Sequence, residues 1–401
     1  MRDVLELFEA LPQEYPQLLE RATNRGEQIV FAGADFFTLQ PFAVELLHLS
    51  PAQVALYPTV EEVPGDDRFL LALSDGQLEY ATQVYGEDIR YDFFFQREKN
   101  SQTRLQAYHN DGHVNAVEVE RITRDDQGLP LLYERVDTHV RLTQRYQYQQ
   151  CGTADGQRWM CDITRESVNP AHDYTCQQRQ RVYFADDGYT VDRIESLDNG
   201  DILYDRAMNS LSLEELLEQA KEAIESRLLA GLSQQSLESV EVRCVLFEYS
   251  LQGPFPPTLA LIQPHEVDDN PEYAPLSWLN APDAELFSER GLDAVDFHQG
   301  CSALFDQLNA QLDALEFQSQ QELVITFYVE FCRRLMNNPR LATLIRTDDD
   351  FFVTARDFEA ANELELLERV LPARQWQSMK STIESHEYAS GRQPCHGDNP
   401  Q

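Results

Sequence analysis

Lysine is nearly missing from this 401-residue chain: Lys99, Lys221 and Lys380 are the only three, so arginine supplies almost all of the 32 basic residues. Bases are scarce in any case, because 69 acids leave a formal net charge of −37. A field of that sign repels nucleic-acid phosphates and anionic lipid, so neither nucleic acid nor membrane is an expected partner. There is no run of about 18 apolar residues, and hence no expected transmembrane helix. The opening stretch, Met1-Arg2-Asp3-Val4-Leu5-Glu6, carries acids where an export signal needs an apolar core, which points to a cytoplasmic location. Seven cysteines (Cys151, Cys161, Cys176, Cys244, Cys301, Cys332 and Cys395) are scattered without a CxxC pair, as expected of reduced thiols rather than a disulfide framework. Also missing are GxGxxG, Walker A, GxSxG and HExxH signatures. No catalytic, cofactor-binding or metal-binding residue is assigned on this basis.

What is present suffices for packed cores: 42% of residues are hydrophobic and 10% aromatic, and the length calls for more than one domain. The pattern divides the chain into an N-terminal helical and mixed segment (1–66), an antiparallel β-rich repeat domain (67–209), an α+β domain (210–388) and a mobile tail (389–401). The expected class is therefore α+β, with a large antiparallel meander at its centre.

In the first segment, Leu5, Phe8, Leu11, Leu18 and Leu19 recur at helical spacing, with Pro12 and Pro16 as expected breaks or first-turn residues. Ser50-Pro51 reads as a helix entry. From residue 69, β-formers alternate with turn signals, and eight to ten strands are expected by residue 206. The clearest has Val140, Leu142, Tyr146 and Tyr148 on one side and Arg141, Thr143, Arg145 and Gln147 on the other. The composition changes at Ser210. Ser212 and Glu215 form a capping box before a helix that Gly231 is expected to close. Strands at 240–249 and 257–263, further amphipathic helices and a strand at Phe351-Phe352-Val353 follow.

Within the β-rich part the chain repeats itself. Tyr108, Asp111-Gly112, Gly128 and Leu132-Tyr133-Glu134-Arg135 are echoed by Tyr183, Asp187-Gly188, Asn199-Gly200 and Leu203-Tyr204-Asp205-Arg206. This pattern resembles the YD-type repeats of Rhs and related polymorphic toxins, over about a quarter of the chain. Similar degenerate repeats occur in the cytosolic immunity proteins encoded beside such toxins, and residues 210–388 resemble the α+β immunity-type families. The resemblance implies a bacterial immunity protein that neutralises a toxin effector by occluding it.

Charge points the same way. Residues 101–150 hold six bases and seven acids, whereas residues 201–300 hold five bases and 19 acids. A docking face for a basic protein is therefore expected in the second half. Asp268, Asp269 and Glu272, and the acidic turn Asp348-Asp349-Asp350, are the candidate partner-binding residues. Cys151, Cys161, His172 and Cys176 have the ligand types for zinc but not the spacing of a knuckle, and small thiols within a sheet are the commoner reading. His109 and His113 flank the Asp111-Gly112 turn, as exposed turn histidines often do. Two other functions fit the same sequence: an unrecognised, metal-dependent hydrolase with a site between the two halves, and a scaffolding protein with an acidic, salt-adapted surface.

Overall fold

A computed structural model describes residues 2–25, 27–63, 68–85, 89–153, 156–234, 241–262, 295–357 and 363–389. The chain is α+β and divides into two compact units, Met1–Leu211 and Ser212–Gln401. The candidate partner-binding residues Asp268, Asp269 and Glu272, and the tail from residue 390, lie outside the described residues.

The first unit begins with helix α1 (Val4–Arg25). A reciprocal box starts it: Asp3 Oδ1 accepts from Glu6 N at 2.7 Å, and Glu6 Oε2 accepts from Asp3 N at 3.2 Å. Pro12 and Pro16 lie inside the helix and do not break it, contrary to the sequence expectation. Each removes one backbone donor, but Leu7, Leu11, Tyr15, Leu18 and Ala22 form a continuous buried stripe whose packing on the sheet outweighs that loss.

Twelve strands then run as a meander, each antiparallel to the next. They are β1 (Gln28–Ala32), β2 (Phe69–Ser74), β3 (Gln77–Tyr85), β4 (Ile89–Arg97), β5 (Ser101–Asn110) and β6 (His113–Arg124). After these come β7 (Pro130–Asp137), β8 (Arg141–Thr153), β9 (Gly156–Asn169), β10 (Tyr174–Phe184), β11 (Val191–Ser196) and β12 (Ile202–Asp205). Eleven of them follow residue 67, more than the eight to ten expected.

Consecutive side chains alternate between two faces. On the helix face, α1 packs against Ala72, Tyr80, Phe94, Leu105, Ala107, Val119 and Val136. On the opposite face lies the segment between β1 and β2, whose Phe37 and Leu39, with Phe36, Phe42 and Leu46, pack against side chains running from Leu71 to Tyr204. That face is called the loop face below. Within the segment, α2 (Ala43–Leu46) is a single turn. Ser50 and Gln53 do exchange the hydrogen bonds of a capping box, but only a turn follows, not the expected helix.

The repeat is equivalent in only part of its length. Tyr133 and Tyr204 both enter the loop-face core. By contrast, Tyr108 lies on the loop face beside Tyr91, with ring centroids 5.1 Å apart, whereas Tyr183 alternates with Val182 and Phe184 and points to the other face. The turns differ as well. Asp111 and Gly112 both have positive φ (47° and 76°) in a two-residue hairpin, where glycine removes the steric cost at the second position. The connection at Asp187-Gly188 is longer, and Asp187 Oδ1 accepts from the backbone N–H groups of Tyr189 and Thr190.

In the second unit, Ser212 and Glu215 form the expected box at the start of α3 (Leu213–Gln234). Gly231 lies inside this helix rather than closing it. A Cβ there would come within 2.5 Å of Val295 Cγ2, so close packing, not chain reversal, requires the glycine. A three-stranded sheet has the order β14-β13-β15, in which β13 (Glu241–Ser250) pairs antiparallel with β14 (Gly253–Ile262) and parallel with β15 (Arg346–Asp357). Val242, the run Cys244–Phe247 and Tyr249 are all buried on central β13, as in a strand with both faces covered. Among the described residues, the helices after α3 are α4 (Ser302–Asp313), α5 (Phe317–Met336), the short α6 (Leu341–Leu344), α7 (Glu363–Val370) and α8 (Ala373–Ala389).

Candidate functional site

Two places carry concentrated charge: a cluster on the loop face of the first unit and the acidic run in β15. The loop-face cluster centres on Arg104, only 2% exposed. Register creates it. Arg104 on β5 is paired with Glu120 on β6, which is paired with Arg135 on β7. Arg104 Nη1 lies 2.7 Å from Glu120 Oε2 and 3.5 Å from Glu118 Oε1, and Nη2 donates to Asp35 in the covering segment. Its guanidinium also stands over the rings of Phe93 and Phe37, 4.8 and 5.4 Å from their centroids.

Glu120 accepts from Tyr133 Oη and Thr38 Oγ1, each at 2.6 Å, and from the backbone N–H of Leu39 at 3.1 Å. Burial alone would raise its pKa, but Arg104 and the two hydroxyls outweigh burial and hold the carboxyl below its ordinary value. Glu118 has the opposite fate. Burial, and then the negative charge of Glu120, push it well above the ordinary carboxylate range, with Arg104 and Arg135 opposing. Arg135 completes the group, with Nε 3.4 Å from Glu118 Oε2 and Nη2 3.3 Å from Asp137 Oδ2. Chemically, Glu120 is a saturated acceptor that pins the covering segment to the sheet, whereas Glu118 can take up a proton.

A second buried carboxylate lies on the helix face. Asp92 accepts from Tyr15 Oη at 2.6 Å, from Tyr80 Oη and from Arg90 Nε at 2.8 Å. Burial and the hydrogen bond to Asp92 push the Tyr15 hydroxyl up to about 12. This arrangement staples α1 to β3 and β4.

The structure separates several residues that looked related in sequence. His109 is paired with Val114 and His113 with Asn110, so the two imidazoles occupy opposite faces; His109 stacks on Tyr15, centroids 6.2 Å apart. Cys161 is buried opposite Val182, while Cys176 lies six residues earlier on β10, about 20 Å along the strand. Among the described residues, no three His, Cys, Asp or Glu side chains come together in a group able to hold a metal ion.

Asp348-Asp349-Asp350 is not the expected turn before a strand but part of β15 itself. Thr347 is paired with Val242 and Phe352 with Cys244, so residues 348–351 bulge out opposite residue 243 alone. Parallel pairing on both sides of the irregularity keeps the acidic run inside the strand, at one edge of the three-stranded sheet.

Sequence reasoning missed the Arg104 cluster. Val117-Glu118-Val119-Glu120 reads as a strand with its glutamates in water, and only a cover supplied by Asp35, Thr38 and Leu39, some 80 residues away, makes them buried. Comparison with family models, with curated proteins and with solved structures finds no match. Among the described residues, no helix is long and apolar enough to cross a membrane.

Proposed function

We propose that this chain is a non-enzymatic binding protein for a basic protein partner and, following the resemblance of its repeats, a bacterial immunity protein that occludes a toxin effector in the cytoplasm. The observation that carries the reading is the acidic bulge of β15, three consecutive aspartates at a sheet edge in a chain with 37 more acids than bases. Edge strands carry unpaired backbone groups, and charge at such an edge discourages indiscriminate pairing while attracting a partner of opposite sign. Many of the chain's own cations are already engaged internally, among them Arg104 with Glu120, Arg356 with Glu248 and Lys221 with Glu330. The uncompensated charge is therefore acidic, and it would steer a basic effector toward this unit over a screening length of about 8–10 Å.

The test is co-expression with the product of a toxin gene found beside this one. Protection is expected. The combined D348N, D349N and D350N variant should associate about tenfold more slowly at low salt, with the difference shrinking as salt rises. Cells left unprotected by the intact chain would end the immunity reading.

A further inference from the structure

Arg165 is half-buried in the sheet. It lies on the loop face of β9, in a row with Gln144 of β8 and Gln178 of β10. On the opposite face, Arg181 holds Asp162 through two hydrogen bonds of 2.6 and 2.9 Å. Arg165 makes no hydrogen bond or ion pair with any described residue, and its buried Nε has no acceptor.

The nearby cation that acts on it has the wrong sign. Burial, and then the guanidinium of Arg135, lower the pKa of Arg165, with Cys176, Tyr133 and Tyr146 opposing. Arg135 is two strands away, about 10 Å across the sheet, a span that two long side chains close. Glu118 and Asp137 already occupy Arg135 and leave nothing for Arg165. In a chain with 69 acids and 32 bases, a half-buried cation without a counter-ion is an open valence.

The surroundings admit a small ligand. Phe42 covers Tyr146 and Phe184, but along the same strands toward Ser167 and Gln178 the face opens, with Ser167 half-buried and Gln178 exposed. A planar guanidinium fork matches the two oxygens of a carboxylate or phosphate, and the flanking Gln144 and Gln178 amides can add donors.

We propose that the loop face between β8 and β10 carries an oxyanion site centred on Arg165, which takes the carboxylate or phosphate group of a small ligand. The site belongs to the first unit and does not depend on the acidic bulge of β15, so either reading can fail without the other.

The test follows the arginine Nε–H resonances of the full chain while inorganic phosphate, and separately acetate, is added. A saturable shift of one such resonance in the millimolar range is expected for at least one ion, and the ion that binds identifies the head group. R165Q should weaken binding at least about tenfold, and R145Q, altered on the opposite face, should bind as the intact chain does. R165K, which keeps the charge but not the fork, should fall between them and serves if R165Q does not fold. Equal binding by the intact chain, R165Q and R165K would reveal an adventitious ion only, and no saturable shift with either ion would also overturn the site.

Discussion

The two ends of the twelve-stranded sheet are built under different rules. From β2 to β7 both faces are covered, one by α1 and the other by the segment carrying Phe37 and Leu39. There, Phe93, Phe94 and Phe95 are buried in succession, and charged groups such as Asp92, Arg104 and Glu120 are enclosed beside partners of opposite charge or hydroxyl donors. From β8 to β10 the α1 side is open. Arg141, Arg145 and Arg179 face water, and the pairs that form, such as Arg181 with Asp162, remain about 30% exposed. The contrast teaches that an ion pair in this protein is a structural commitment only where a second layer excludes water.

Substitutions can break that contrast, beginning where the effect is greatest. Glu120→Ala would remove the 2.7 Å partner of the buried Arg104 guanidinium and the acceptor of Tyr133, Thr38 and Leu39, and should cost about 3–5 kcal/mol. Asp162→Ala, which removes the partner of Arg181 on the open side, should cost about 0–1 kcal/mol. Urea unfolding of the full chain compares the two, and equal losses would erase the distinction.

The equivalent tyrosines of the repeat sharpen the comparison. Tyr133→Phe deprives an enclosed carboxylate of a donor and should cost about 1.5–3 kcal/mol. Tyr204→Phe removes only an acceptor for the Asn209 side-chain amide, 2.9 Å away, and should cost about 0.5–1.5 kcal/mol by the same measurement. At the hairpin tip, Gly112→Ala meets no atom within 4 Å, so its cost reduces to the left-handed backbone, about 1 kcal/mol, with no change in ligand binding.

A pH series gives the finest test. The pKa of Glu118 is raised in the folded state, so its contribution to stability is complete below the unfolded carboxyl value of about 4.3 and is lost as pH rises through its elevated folded value. Glu118→Gln should flatten this part of the stability profile, read by urea unfolding across the pH range. A profile unaffected by Glu118→Gln would show that this carboxyl keeps its ordinary affinity for protons.

Legibility in sequence follows the same division. The strand with Leu142, Tyr146 and Tyr148 on one side was readable because one of its faces is wet, and the Ser212–Glu215 box because its partners are three residues apart. The Arg104 cluster was illegible because its cover arrives from residues 35–39, and alternation in β6 says only that glutamates share a face. Pro12 and Pro16 misled for a related reason: local propensity argues for breaks, and a docked apolar stripe overrides it.

By itself, then, the sequence determined an α+β chain with an antiparallel meander, its main turns and its acidic character, since alternation, glycine turns and net charge are local or additive properties. Tertiary structure alone decided which charges are enclosed, that His109 and His113 point apart, that Gly231 serves packing, and that Asp348-Asp349-Asp350 bulges from a strand. Those outcomes depend on which distant segment covers or pairs with a residue, and burial, more than residue type, sets what a charge or a glycine is worth.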